Sequence, residues 1–258
     1  MRTTETGLRG TAVAQQEPQP SRLDGRIVLR QELDGETRDA MFRLLATHFV
    51  GNDRLTFEAD LAEKHCAILL EDECGRLRGF STLLFYTTDA PGRTVSVVYS
   101  GDTIVDRAWW GSPALPRTWI RAVRQLAPAA SGLDLYWLLL TSGYRTYRFL
   151  PVFFQSFYPR YDGLETDTMD RLLDSVAAER FGSRYDAANG IVRFAKPQVL
   201  TSDLLTLPEG RVVDPHVAYF LSRNPGHVRG DELACLTMIR DDNLTPAGRR
   251  MARVVPAR

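Results

Sequence analysis

The chain has 258 residues, 44% hydrophobic and 25% charged, the balance of an ordinary folded protein rather than a fibrous or disordered one. Lys plus Arg and Asp plus Glu number 32 each, so no global field recruits nucleic acid or an acidic membrane, and a phosphate-bearing ligand needs a local site. Three cysteines at unrelated spacings, Cys66, Cys74 and Cys235, point to free thiols in a reducing compartment, and the longest apolar runs are too short to span a bilayer.

Residues 1–25 are polar and rich in Pro and Gln, without the apolar core of a secretory signal. They read as a mobile tail, and the expected location is cytoplasmic. IVLRQEL at 27–33 predicts a short strand. Met41, Leu44, Leu45 and His48 recur at helical spacing in a helix predicted from about Gly35 to Phe49, with Gly51 as its stop. A second helix is predicted from Thr56 to Lys64. CAILLEDECGRLRGFSTLLFYTT then reads as a hairpin turning at Gly75, and TVSVVYSGDTIVD as a third long strand with Ser100-Gly101 as a bulge site.

The turn WGSPAL leads into a helix predicted from Pro113 to about Ala127. Its apolar stripe is Leu115, Trp119, Ile120, Val123 and Leu126, with Arg117, Arg121 and Arg124 opposite. LDLYWLLLTSG reads as a buried strand, and YRTYRFLPVFFQSFYPRY as an aromatic helix that Pro151 bends or opens. Beyond Glu165 the signals thin to a helix at 167–181, strands at 191–194 and 232–239, and a short helix at 217–221. The expected fold class is α/β, with a mixed, mostly antiparallel central sheet flanked by helices. The expected division is a tail at 1–25, a unit at 26–164, and an extension at 165–258 packed on it as a substrate pocket or lid.

This order of elements, over roughly Ile27 to Asp162, resembles the GNAT superfamily of acyl-CoA-dependent N-acyltransferases. In that family the long strand ends in a turn of the form Arg/Gln-x-x-Gly-x-Gly/Ala, whose amides at the next helix N-terminus hold the pyrophosphate of coenzyme A. Here Trp110-Gly111-Ser112-Pro113-Ala114-Leu115 occupies the turn. Trp110 stands in place of the first polar residue, Pro113 in place of a glycine, and Leu115 in place of the last small residue. Pro113 also lacks the N–H that a cradle would use.

The resemblance implies transfer of an acyl group, acetyl first, from acetyl-CoA or another acyl-CoA to a small-molecule amine by direct attack. No metal is expected, the balanced charge and short apolar runs argue against a nucleic-acid or membrane partner, and a monomer or homodimer is expected. The cofactor would lie against Ile104, Val105, Arg107, Trp110, Gly111, Ser112 and Ala114. The altered turn leaves other readings open. One is a GNAT-fold enzyme with an acyl carrier protein or aminoacyl-tRNA donor; another is a non-catalytic ligand-binding domain; a third makes the turn a plain strand-to-helix corner.

Amine acylation needs a base, an oxyanion donor and an acid for the leaving thiolate. The bulge supplies Asp102 as candidate base, with Ser100 and Tyr99 as substrate contacts, although a bulge carboxylate also bonds local amides. Tyr158 is the first candidate acid and Tyr147 the second; buried tyrosines equally pack cores. Arg145 is a candidate ligand for a carboxylate or phosphate. His65, Cys66 and Cys74 lack zinc-binding spacing, and neither a Gly-x-Ser-x-Gly elbow nor a Walker sequence occurs.

Overall fold

The computed structural model describes residues 22–127, 132–163, 167–207 and 213–253. Most of the expected tail, and the boundary at 164/165, lie outside the described residues.

β1 (Leu23–Leu29) is followed by α1 (Gly35–Ala46), whose N-terminus is capped by the Asp34 carboxylate accepting from the Thr37 N–H at 2.7 Å. The helix predicted to reach Phe49 stops at Ala46, because β2 (Phe49–Val50) is extended and pairs with the segment 199–200. α2 (Arg54–Ala62) begins at an Asp53 cap. β3 (Cys66–Asp72), β4 (Leu77–Ala90) and β5 (Arg93–Val105) form the predicted antiparallel meander.

α3 (Ala114–Leu126) crosses the sheet and returns the chain as β6 (Leu135–Thr141), parallel to β5. The predicted aromatic helix is two short pieces, α4 (Tyr144–Tyr147) and α5 (Phe149–Phe153). Pro151 has no N–H to bond the carbonyl four residues back, and beyond α5 the chain is extended, Phe154 bridging Leu244 and Tyr158 bridging Leu236.

The later elements are α6 (Asp167–Phe181), β7 (Tyr185–Asp186), β8 (Ile191–Val192), β9 (Val199–Leu200), α7 (Ser202–Leu205), α8 (Pro215–Arg223), β10 (Glu232–Met238) and α9 (Pro246–Ala252). The main sheet runs β1-β3-β4-β5-β6-β10-β8-β7, antiparallel throughout except for β5 beside β6. The segment after residue 165 therefore does more than pack on the first unit. Its apolar run Leu233–Leu236 is a fully buried interior strand beside β6. No helix among the described residues is long and apolar enough to cross a membrane.

One face of the sheet packs Val98, Trp137 and Leu139 against α3, and the other packs Val97 and Tyr99 against α6. Farther along that second face, Ile104 packs with α1 and α2. Alternation alone would put residue 104 on the face of Val98. The reversal comes from the predicted bulge: Leu83 opposes Ser100 but Ser81 opposes Thr103, so β5 carries one residue more than β4 there. The same region ends the β5–β6 pairing, which runs Ser96↔Leu135 to Ser100↔Leu139. β5 continues to Val105 and β6 to Thr141, and the two strands part into a cleft.

Candidate functional site

Two cavities fill that cleft and meet at Phe49, Thr103, Ile104, Ser142 and Thr146. The larger, about 420 Å³, lies toward the start of α3 and has a cationic, aromatic wall. The Arg145 guanidinium sits 4.5 Å from the Trp110 ring centre and 4.7 Å from that of Tyr144, and it donates to the Leu204 carbonyl at 2.9 Å. Arg148, also lining this cavity, is ion-paired with Asp214 at 3.1 Å. Trp110 is 43% exposed, and its indole N–H donates to the Val105 carbonyl at 2.8 Å. The same carbonyl accepts from His48 Nε2 at 3.0 Å.

Of the residues expected to contact a ligand, Ile104, Val105, Trp110, Ser112 and Arg145 line this cavity, whereas Arg107, Gly111 and Ala114 do not. Arg107 stacks on Trp110 at 5.6 Å and pairs with Asp203 outside the cavity. At the helix start, Pro113 has no N–H to offer, and the Ala114 N–H is already donated to Ser112 Oγ at 3.2 Å. A phosphate group thus fits this wall through the Arg145 guanidinium more than through a cradle of backbone amides, with Trp110 offering a ring surface for stacking.

The smaller cavity, about 150 Å³, is lined by three carboxylates, Asp60 of α2, Asp102 of β5 and Glu232 of β10, and by one lysine, Lys196, whose exposed ammonium lies 3.4 Å from Asp53. Lys64, whose side chain is wholly buried, donates to Asp60 Oδ1 at 2.6 Å and lies 5.3 Å from the Tyr99 ring centre. Its stem passes the bulge closely. A Cβ at Gly101 would stand 2.6 Å from Lys64 Cε and 2.5 Å from Thr82 Oγ1, so any side chain there would force one of them to shift.

Burial lifts the Asp102 carboxyl to about 7; repulsion from Asp60 adds to this and Lys64 opposes it. Burial likewise lifts Glu232 to about 8, with repulsion from Asp102 and then Asp60 adding to it. Burial thus biases both carboxyls toward their protonated forms.

Ser100 stands where β5 and β6 part. Its hydroxyl oxygen accepts from the indole N–H groups of Trp119 at 3.1 Å and Trp137 at 2.9 Å. Both acceptor positions are thereby filled, and Ser100 anchors two aromatic rings rather than contacting a substrate through its lone pairs. Tyr99 reaches the acidic cavity, with burial holding its phenol well above the ordinary value.

The two candidate acids lie elsewhere. Tyr147 is fully buried against Phe157 and Phe220 and donates to the Pro159 carbonyl at 2.8 Å. Tyr158 bridges to β10 and donates to Asp170 at 2.5 Å, its phenol pushed up by burial and by that carboxylate. Neither lines the cleft: Tyr147, on α4, turns into the core against Phe157 and Phe220, and Tyr158 lies beyond the break after α5, on the extended stretch beside β10. Conversely, Asp60, Lys64 and Glu232 carry no sequence motif. Sheet order and the α2 packing bring them to Asp102. No group of His, Cys, Asp and Glu among the described residues is arranged to hold a metal ion.

No protein-family profile and no curated protein matches the sequence. Solved structures align in part. A probable N-acyltransferase from Enterococcus faecalis V583 aligns at 13% identity and TM-score 0.39, over 53% of this chain and 33% of its own length. A GNAT family N-acetyltransferase from Escherichia coli, in complex with CoA, aligns at 15% identity and TM-score 0.35, over 47% of this chain and 65% of its own. Glucosamine-6-phosphate N-acetyltransferase from Arabidopsis thaliana aligns at 12% identity and TM-score 0.33, over 46% and 82%. The chain spans a third of the first of these structures and about two thirds of the second. The chain itself combines a meander, a bulged β5, a crossover helix and a β6 parallel to β5 in a mixed, mostly antiparallel sheet.

Proposed function

We propose that the chain transfers an acyl group from a coenzyme A thioester to a small amine, both bound in the cleft between β5 and β6. The observation that carries this reading is the cleft's polarity: a cationic, aromatic wall and an acidic wall meet at Thr103 and Thr146. A phosphorylated carrier suits the first wall, and an amine, cationic in water, suits the second.

In this reading Arg145 and Trp110 hold phosphate and adenine groups, with Ser112 at the helix start. The thioester supplies an activated carbonyl with a good leaving group. Ionised Asp102, with Glu232 beside it, would bind the ammonium and accept its proton; the neutral amine would then attack the thioester carbonyl, the carbon–sulfur bond would break, and the Asp102 carboxyl would return the proton to the departing thiolate while the amine's second proton is lost to water. A carboxyl lifted to about 7 suits this role better than an ordinary carboxylate, being a stronger base that still ionises near neutral pH. A thioester on an acyl carrier protein is the second reading. It is favoured by the missing N–H at Pro113 and the spent one at Ala114.

Thermal melting with coenzyme A and acetyl-CoA tests the donor, since a ligand binding only the folded state raises its stability. A shift that Arg145→Ala reduces supports the first reading. No shift at millimolar coenzyme A, together with thioester cleavage on a carrier protein, replaces it with the second. Thiol release across an amine panel then identifies the acceptor class.

A further inference from the structure

A third cavity, about 50 Å³, lies behind the strand junction, beneath α3 and against α5 and α9. It shares Thr103 and Thr146 with both cavities of the cleft, so all three converge where β5 and β6 part. Its walls are aromatic and aliphatic: Trp119 and Ile120 of α3, Trp137 of β6, Phe153 of α5, Leu244 and Met251. Ser100 borders it, but the hydroxyl oxygen is already occupied by the two indole N–H groups, which keeps those rings fixed and their polar edges satisfied. The cavity therefore offers a substrate almost no hydrogen bonding and a rigid apolar surface.

We propose that this cavity receives the acyl chain of the donor, and that the preferred donor carries a short linear chain of several carbons rather than acetyl. The inference rests on the acyl-transfer reading above and specifies its substrate. A donor held on the cationic wall and attacked from the acidic wall has its reactive carbonyl at Thr103 and Thr146. The third opening at that point is the apolar one, and the acyl substituent is the remaining group of the thioester. Acetyl leaves this space unfilled. At roughly 10–15 Å³ for each water-sized group, the cavity has room for about four methylenes.

The chain-length series of acetyl-, butyryl-, hexanoyl-, octanoyl- and decanoyl-CoA tests this with the unaltered protein. Each methylene placed in the cavity is worth about 0.8 kcal/mol, or about fourfold. Hexanoyl-CoA is thus expected to exceed acetyl-CoA by up to about 200-fold in kcat/KM, with decanoyl-CoA falling back. Binding is read independently by calorimetric titration of the same series, in which hexanoyl-CoA should bind more tightly than acetyl-CoA by about fourfold for each methylene placed in the cavity.

Met251→Trp, narrowing the cavity from α9, should move the optimum toward butyryl-CoA or acetyl-CoA. A series that is flat or best at acetyl-CoA, with coenzyme A still bound, overturns the chain pocket and leaves acyl transfer standing. A protein that neither binds nor cleaves any member of the series overturns both. An optimum that stays at hexanoyl in a folded Met251→Trp protein places the chain elsewhere and overturns the assignment.

Discussion

Replacing Asp102 with asparagine should make the protein more stable and less active, and the gain in stability should depend on pH. In the folded chain burial and the Asp60 carboxylate lift Asp102 from its ordinary 3.8 to about 7. The folded protein thus holds this proton more tightly than the unfolded chain does. Folding stability therefore falls as pH rises from about 4, and the loss is complete above about 7. At about 1.36 kcal/mol per pH unit the full effect slightly exceeds 4 kcal/mol, and the side chain's partial exposure to the cleft reduces it to about 2.

Asparagine has nearly the same shape and no charge to desolvate. Urea unfolding of both proteins at a series of pH values should show Asp102→Asn pulling ahead between about pH 4 and 7 and keeping a constant lead above that. Transfer to the amine should fall by about 10²–10⁴ at neutral pH, the usual range for a lost general base. Equal unfolding midpoints at every pH, or a variant less stable at pH 8, would refute the claim that this carboxylate is held in an unfavourable place for function. Such a trade of stability against activity is characteristic of a working group and not of a bulge carboxylate bonding local amides.

Ser100→Ala should destabilise by about 2–4 kcal/mol in urea unfolding, since it strands the buried indole N–H groups of Trp119 and Trp137 together. Gly101→Ala should cost about 1–3 kcal/mol, because its Cβ meets Lys64 and Thr82 inside 3 Å. Lys64→Ala in the same background should recover part of that loss, as a double-mutant cycle would show. Tyr158→Phe should leave turnover within about twofold and cost about 1 kcal/mol for the bond to Asp170. A thousandfold fall in turnover would return Tyr158 to the chemistry.

The cleft was only half legible from residue order. Strand and helix periodicity located β3, β4, β5, α3 and β6 within a few residues, because an apolar side chain every second or every third to fourth position reports its own burial. Pro113 and Pro151 declared locally what they would prevent, since a missing N–H is a covalent fact. Asp102 stood out because the bulge lies within a single strand.

Glu232, Asp60 and Lys64 did not stand out. Each is one charged residue at the edge of an apolar stretch, and nothing in its neighbours distinguishes a cleft carboxylate from a solvated one. They join Asp102 because β10 lies beside β6 and α2 packs under β5, contacts between segments far apart in the chain. Tertiary packing likewise removed Tyr147, whose ring meets Phe157 and the distant Phe220, and the end of the helix at Phe153 removed Tyr158. Local backbone chemistry is thus what the sequence determined by itself: the elements, the bulge, and the turn with its lost donor. Tertiary structure decided which charges share a cavity and how far burial shifts them. Both depend on the dielectric and the neighbours that distant segments supply.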